Sequence, residues 1–158
     1  MNYSIITYEE KYKDMVIELI LDIQKKEGID IGLAKQPDLN SISKFYQKNK
    51  GNFWIAIKDN SVLGTIGLIS LNDEIGVIRK MFVNKEYRGI GLSHDLMLTL
   101  LSYAKTRGLE RIYLGTIDIY KAAQRFYLKE GFQQIKKEDL PEIFPLMTVD
   151  NVFFTIKI

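Results

Sequence analysis

The stretch from residue 77 to residue 116 limits the possible folds more than any other part of the chain. Residues 77–83 favour a strand, residues 92–107 carry apolar side chains at helical spacing, and residues 111–116 favour a strand again. Parallel strands need a long crossover, usually a helix, whereas antiparallel neighbours can be joined by a short turn. The succession therefore predicts a βαβ unit whose two strands pair in parallel.

The rest of the chain supplies further strands and helices around this unit. Further predicted strands cover residues 3–8, 53–57, 62–71, 132–135 and 152–158. Further predicted helices cover residues 12–27, 38–49 and 121–130, and Pro37-Asp38 offers an N-cap to the second of these. This order predicts an α+β fold with a central mixed, mostly antiparallel sheet of about seven strands flanked by about four helices. Because no repeat or linker interrupts the 158 residues, we expect one domain, residues 1–158.

The composition excludes several kinds of site and partner. The chain has no cysteine, and its one histidine is His94, which argues against disulfides, thiolate ligands and histidine-rich metal sites. A net charge of +2 gives no reason to expect a nucleic-acid partner. No apolar run approaches the roughly 20 residues of a membrane helix, and the first residues lack a signal-peptide profile. We expect a cytoplasmic protein with no metal, membrane or nucleic-acid partner.

Two glycines follow an arginine between the predicted strand at residues 77–83 and the next helix. Unpaired N–H groups in such a turn point the same way as the positive end of the helix dipole, so the turn suits a phosphate. Arg88 adds a flexible cation, and Gly89 and Gly91 leave no Cβ beside the phosphate. A Walker P-loop would need Gly-Lys-Ser/Thr, and a dinucleotide fingerprint would need a third glycine where His94 stands. A tight turn without a ligand is the alternative.

A second motif lies at residues 120–132. Together with Met81-Phe82-Val83 and the glycine turn, it resembles the GNAT N-acetyltransferase superfamily. That family has Arg/Gln-x-x-Gly-x-Gly/Ala in its pyrophosphate loop, and residues 88–93 read Arg-Gly-Ile-Gly-Leu-Ser. It also has Asn-x-x-Ala-x-x-Phe-Tyr-x-Lys-x-Gly-Phe, which residues 120–132 match at all but the first position. The resemblance is strongest over residues 77–132 and implies a GNAT-like domain.

The resemblance implies an N-acetyltransferase that uses acetyl-CoA. The pyrophosphate would lie on the loop amides, and the pantetheine arm would pair like an added strand with backbone at Met81 and Val83. The amine would attack the thioester directly, with Tyr127 protonating the departing sulfur. A core tyrosine without a chemical role is the alternative for Tyr127. The implied cofactor-binding residues are Met81, Phe82, Val83, Arg88, Gly89, Ile90, Gly91, Leu92, Ser93, His94, Tyr120 and Ala123.

Two positions depart from the family pattern, and no general base is evident. Tyr120 stands where the family has Asn, and Ser93 replaces the final Gly/Ala of the loop. Some relatives carry a carboxylate in the middle of the strand at residues 111–116, where this chain has Gly115. A water chain could serve instead, and a weakly basic amine would need no strong base. The nearby carboxylates are Asp73, Glu74 and Asp118, which also fit solvated turns.

The resemblance implies an acceptor pocket built near residues 28–38 and 139–151. Carboxylates in and beside these segments favour a cationic small-molecule amine as acceptor. They are Asp30, Asp38, Glu138, Asp139, Glu142 and Asp150. Amino acids, polyamines, antibiotics and protein amines all stay open, as do a longer acyl group and a homodimer. The alternative function is a non-catalytic module of the same fold that binds or senses acyl-CoA.

Overall fold

The computed structural model describes residues 2–29 and 31–158, and a single seven-stranded sheet organises them. The strands are β1 (Ser4–Thr7), β2 (Asn52–Lys58), β3 (Ser61–Ser70), β4 (Ile75–Val83), β5 (Arg111–Thr116), β6 (Gln133–Ile135) and β7 (Val152–Lys157). The helices are α1 (Lys13–Lys26), α2 (Ile42–Tyr46), α3 (Leu92–Thr106) and α4 (Lys121–Lys129). Within the described residues, no helix is both long and apolar enough for a membrane crossing.

The strand order in the sheet is β1-β2-β3-β4-β5-β7-β6. β4 and β5 pair in parallel, and the other five pairs are antiparallel. This confirms the predicted α+β fold with a mostly antiparallel sheet and a parallel unit around α3. β7 lies between β5 and β6, so the last strand of the chain enters the sheet beside the βαβ unit.

The parallel pairing of β4 with β5 is short. It covers three residue pairs, from Ile75 with Arg111 to Val77 with Tyr113. β4 continues to Val83, whereas β5 ends at Thr116 and pairs along its whole length with β7. The two central strands therefore separate after Val77, and the sheet opens into a gap between them.

A β-bulge in β4 lies beside this gap. Thr65 pairs with Phe82 and Gly67 pairs with Arg79, so two residues of β4 oppose one residue of β3. Lys80 adopts the left-handed region with φ of 55°, and its carbonyl accepts a hydrogen bond of 2.7 Å from the Thr65 hydroxyl. A bulge bends its strand and redirects the side chains around it. Here it turns β4 at the point where the gap begins.

Helices cover both faces of the sheet and bury most of its apolar side chains. On one face, Leu96 and Leu100 of α3 join a core with Trp54 of β2 and Phe154 of β7. On the other face, α1 and α2 pack over β3, and Ile20 is fully buried there. Burial of one such side chain contributes about 1.5–3 kcal/mol, so these two cores hold helices against both faces of the sheet.

The second helix is shorter than the sequence predicts. The expectation of one helix over residues 38–49 is wrong, because Pro37–Ser41 form a 3₁₀ turn and α2 covers only Ile42–Tyr46. Asp38 does not cap this segment, since its carboxylate accepts a hydrogen bond of 2.6 Å from the Tyr46 hydroxyl. Asn49 then takes a left-handed φ of 53°, which turns the chain into β2.

Candidate active site

The gap between β4 and β5 forms an open cleft of about 670 Å³. Residues 78–83 of β4 line one wall, and residues 114–117 at the end of β5 line the other. The C-terminal end of α1 covers one side and the N-terminal part of α4 the other, and residues 147, 149 and 150 close the inner end. The cleft thus runs from the glycine turn to the segment that precedes β7.

The glycine turn lies at the N-terminus of α3. Gly89 has a φ of 80° and Gly91 a φ of 90°, and a Cβ at either position would meet no atom within 4 Å. Backbone conformation, and not crowding, therefore requires glycine here. The first intrahelical bond runs from the Asp95 N–H to the Gly91 carbonyl. The amides of residues 89–94 find no backbone acceptor in the described part of the chain, so they stay available to an anion.

Arg88 connects this turn to β4 and to the end of α1. Its Nε donates to the Val83 carbonyl at 3.2 Å, and its Nη2 lies 3.5 Å from the Glu27 carboxylate at the end of α1. Both side chains of the ion pair are partly exposed. Glu27 also lies beside Tyr120, where burial first and this carboxylate second raise the pKa of Tyr120 to about 12. Sequence reasoning missed Glu27, since a glutamate at a helix end carries no motif.

Tyr127 lies in the inner part of the cleft. It is 8% exposed and packs edge-on or tilted against Phe126, Phe132 and Phe154, so it is a core side chain that also faces the cleft. Burial, with a smaller contribution from Asp150, raises the pKa of Tyr127 to about 12. The hydroxyl therefore keeps its proton at neutral pH and is a weaker acid than that of an exposed tyrosine.

Asp150 is the residue whose place the sequence did not reveal. It was expected at the rim of the acceptor pocket, but it lies against Gly115 in the middle of the β5 wall. A Cβ at Gly115 would be 2.6 Å from Oδ2 of Asp150, so only glycine leaves room for the carboxylate. Burial raises the pKa of Asp150, while the nearby cations Arg79 and Lys80 oppose that rise. Gly115 thus admits a carboxylate to the strand position where the family pattern had suggested one.

Two basic residues at the bulge lie near Asp150. The Lys80 amine donates to the Gln36 side chain at 2.5 Å and lies 3.8 Å from the Asp38 carboxylate. Burial lowers the pKa of Lys80, and the Asp38 charge partly restores it. The Arg79 guanidinium donates to the Pro145 carbonyl at 2.7 Å. Both cations are therefore held in place by loops on either side of β4.

The structure brings most of the predicted site residues to this cleft. Those that line it are Met81, Phe82, Val83, Arg88, Ser93, Tyr120, Ala123 and Tyr127. Gly89, Ile90 and Gly91 lie in the turn outside the lined volume. The Leu92 side chain is buried in the core, and the His94 ring lies 2.8 Å from Glu130. Leu92 and His94 can therefore offer this region only their main-chain N–H groups.

The carboxylates that were predicted to surround the acceptor pocket do not form one group in the structure. Glu138, Asp139 and Glu142 are exposed and do not line the cleft, whereas Asp38 is ion-paired with Lys80. Asp30 lies outside the described residues. The candidate bases Asp73, Glu74 and Asp118 are exposed and lie outside the cleft. In the described ranges, no three of the His, Asp and Glu side chains are grouped to hold a metal ion.

The chain belongs to the GNAT acetyltransferase family. The model of that family, described as the Acetyltransferase (GNAT) family, matches residues 17–132. The chain is 30% identical over 119 residues to the probable N-acetyltransferase camello of Xenopus tropicalis, covering 71% of this chain and 54% of that protein. It is 30% identical over 130 residues to N-acetylaspartate synthetase of the same species, covering 78% and 47% respectively. The chain thus spans about half the length of these curated relatives.

Solved structures of the family have the same fold. A GNAT acetyltransferase from Staphylococcus aureus Mu50 superposes with a TM-score of 0.95 and 42% identity, covering 99% of both chains. A GNAT family acetyltransferase from Elizabethkingia anophelis, solved with acetyl-CoA bound, has a TM-score of 0.65 and 17% identity, again covering 99% of both chains. This neighbour of the same fold therefore binds acetyl-CoA.

Proposed function

We propose that this protein, folded as one domain over residues 1–158, transfers an acetyl group from acetyl-CoA to a primary amine of a small molecule. The observation that supports this most is the cleft between β4 and β5. It has the turn with unused amides at one end and the buried hydroxyl of Tyr127 at the other. An elongated, phosphate-bearing thioester matches both ends of such a cleft.

The donor would bind through main-chain groups. The amides of residues 89–94 and the Arg88 guanidinium supply positive charge for a pyrophosphate. Beyond Val77 the edge of β4 has no pairing with β5, so Met81 and Val83 can accept an extended arm as an added strand. Phe82, Ser93, Tyr120 and Ala123 line the same cleft and would surround that arm.

The transfer would need no covalent enzyme intermediate. The chain has no cysteine, which agrees with direct attack by the amine on the thioester carbonyl. Tyr127 would donate its proton to the departing sulfur. Because its pKa of about 12 lies above the ~8.5 of a thiol, this transfer runs uphill, and the tyrosinate left behind must be reprotonated from solvent. A positioned acid of this kind contributes typically about 10²-fold to the rate.

The acceptor would be a small-molecule amine, and the residues at the inner end suggest which amines to test first. Asp150 attracts a cationic amine, while Arg79 and Lys80 would favour a carboxylate on the same molecule. The relative named N-acetylaspartate synthetase carries an amino-acid acceptor in its name. Amino acids should therefore be tested as acceptors before polyamines and aminoglycosides.

The test is release of free CoA thiol from acetyl-CoA with a panel of these amines, combined with a binding measurement for acetyl-CoA. Turnover that depends on one class of amine would support the proposal. Acetyl-CoA binding without turnover on any amine would favour the alternative, a module that binds or senses acyl-CoA. Faster turnover with a longer acyl-CoA would change the donor and leave the reaction class intact.

A further inference from the structure

Asp150 is a carboxylate that the chemistry above uses only for attraction. It lines the inner end of the cleft together with Tyr127. It forms no ion pair with any residue the structure describes. Its two cationic neighbours are engaged elsewhere, since Arg79 donates to Pro145 and Lys80 donates to Gln36. Partial burial of a carboxylate without such a partner costs free energy, and groups of this kind are frequent at reaction centres.

The place of this carboxylate depends on one glycine. A Cβ added to Gly115 would lie 2.6 Å from Oδ2 and 3.1 Å from both Cβ and Cγ of Asp150. Any side chain at position 115 would therefore move Asp150 away from β5. The backbone of β5 is held in register on that side, since Gly115 pairs with Phe153 of β7. The segment before β7 thus delivers a carboxylate against the wall of the cleft.

We propose that Asp150 accepts the proton that the acceptor nitrogen loses during acetyl transfer; this role rests on the proposed N-acetyltransferase activity. The neutral amine attacks the carbonyl carbon, the C–N bond forms, and the nitrogen proton passes to a carboxylate oxygen of Asp150. The C–S bond breaks with its electron pair on sulfur, and sulfur takes the proton of the Tyr127 hydroxyl. The proton on Asp150 returns to Tyr127 through solvent in the open cleft, which restores both residues.

The groups around Asp150 are compatible with this role. Arg79 and Lys80 face it from β4 and Tyr127 faces it from α4, while the uncharged Gly115 of β5 lies against it. Burial raises the pKa of Asp150 despite the two cations, so its carboxylate is a stronger base than an exposed aspartate. Acid and base line the same cleft, and the charge of Asp150 contributes to the raised pKa of Tyr127.

The experiment compares Asp150→Asn with Asp118→Asn, an exposed aspartate outside the cleft. With an amine that the wild type acetylates, kcat of Asp150→Asn should fall about 10²-fold. The decrease of kcat at acidic pH that the wild type shows should be absent from this variant. The dissociation constant of acetyl-CoA should stay within about twofold of wild type, since Asp150 is not among the residues proposed to hold the donor. In Asp150→Gly, added formate should restore part of kcat. An unchanged kcat and pH profile in Asp150→Asn would overturn the proposal.

Gly115→Ala provides a second and independent arm. The added Cβ should displace Asp150 and lower kcat toward the level of Asp150→Asn, and the double variant should lose little more than either single variant. Fully additive losses of kcat would show that Gly115 acts independently of Asp150 and would contradict the inference. If the wild type is inactive on all amines, the proposed function is refuted. If the wild type is active and Asp150→Asn is equally active, only the role of Asp150 is refuted.

Discussion

The guanidinium of Arg88 lies 3.5 Å from the carboxylate of Glu27, so the glycine turn is joined to the end of α1 across the mouth of the cleft. The same glutamate lies beside Tyr120 at the start of α4. A carboxylate at this point occupies a cation that a pyrophosphate would otherwise engage. Glu27 and the proposed donor therefore compete for Arg88.

Replacement of Glu27 should strengthen donor binding. Glu27→Gln keeps the size of the side chain and removes its charge, and a partly exposed ion pair is worth ~0.2–1 kcal/mol. We expect KM for acetyl-CoA to fall about two- to fivefold at low salt, with kcat unchanged, because RT ln of that ratio matches the ion-pair energy. Asp22→Asn is the matched control, since Asp22 pairs with Lys26 on the same helix. A higher KM would mean that Glu27 orients Arg88 instead of competing for it.

Removal of the Tyr127 hydroxyl should slow transfer without weakening donor binding. Tyr127→Phe keeps the packing against the neighbouring rings, and we expect kcat to fall about 10²-fold. Because the hydroxyl acts in its protonated form and its pKa is about 12, its proton is in place over the whole neutral range. The wild-type kcat should therefore show no decline from this group up to about pH 10.

A matched control for this variant is Tyr8→Phe. Tyr8 is also buried, and its hydroxyl has no hydrogen-bond partner in the described part of the molecule. It packs against Phe53, in the core on the α1 side of the sheet. Tyr8→Phe should leave kcat unchanged, and equal kcat values in the two variants would remove Tyr127 from the chemistry.

Alanine at Gly91 should affect both stability and donor binding, whereas alanine at Gly108 should affect stability alone. Both glycines have a positive φ, of 90° and 84° respectively, and a left-handed alanine costs ~1–2 kcal/mol. Each variant should lower Tm by about 2–4 °C per kcal/mol for a chain of this size. Only Gly91→Ala alters the turn at the N-terminus of α3 and should raise KM for acetyl-CoA. The same increase in KM for acetyl-CoA in both variants would show that it results from lower stability and not from a change in the turn.

Asp150 should destabilise the fold at neutral pH. Because burial raises its folded-state pKa above the unfolded value of ~3.9, the folded protein binds this proton more tightly than the unfolded chain. The free-energy cost of the charged carboxylate is therefore present above the pKa of Asp150 in the folded protein and disappears as pH falls toward ~3.9. We expect Asp150→Asn to raise the free energy of unfolding in urea at neutral pH, with a smaller gain near pH 4. A loss at neutral pH would assign Asp150 a structural role.

The local elements of this fold could be predicted well from the sequence. The amphipathic spacing of α1 and α3 and the turn at Gly89 and Gly91 depend on residues within a few positions of one another. The failure at residues 38–49 has a tertiary cause, because Asp38 bonds Tyr46 and pairs with Lys80 of β4 instead of capping a helix. Propensity alone could not reveal that competition.

The sequence by itself determined the α+β class, the βαβ unit and the glycine turn, because short-range periodicity and backbone conformation specify them. The tertiary structure alone decided that β4 and β5 separate after Val77, that Glu27 meets Arg88 and that Asp150 fills the space at Gly115. Those contacts join residues far apart along the chain. They form only when the helices pack on the sheet and β7 enters beside β5, so no local pattern carries them.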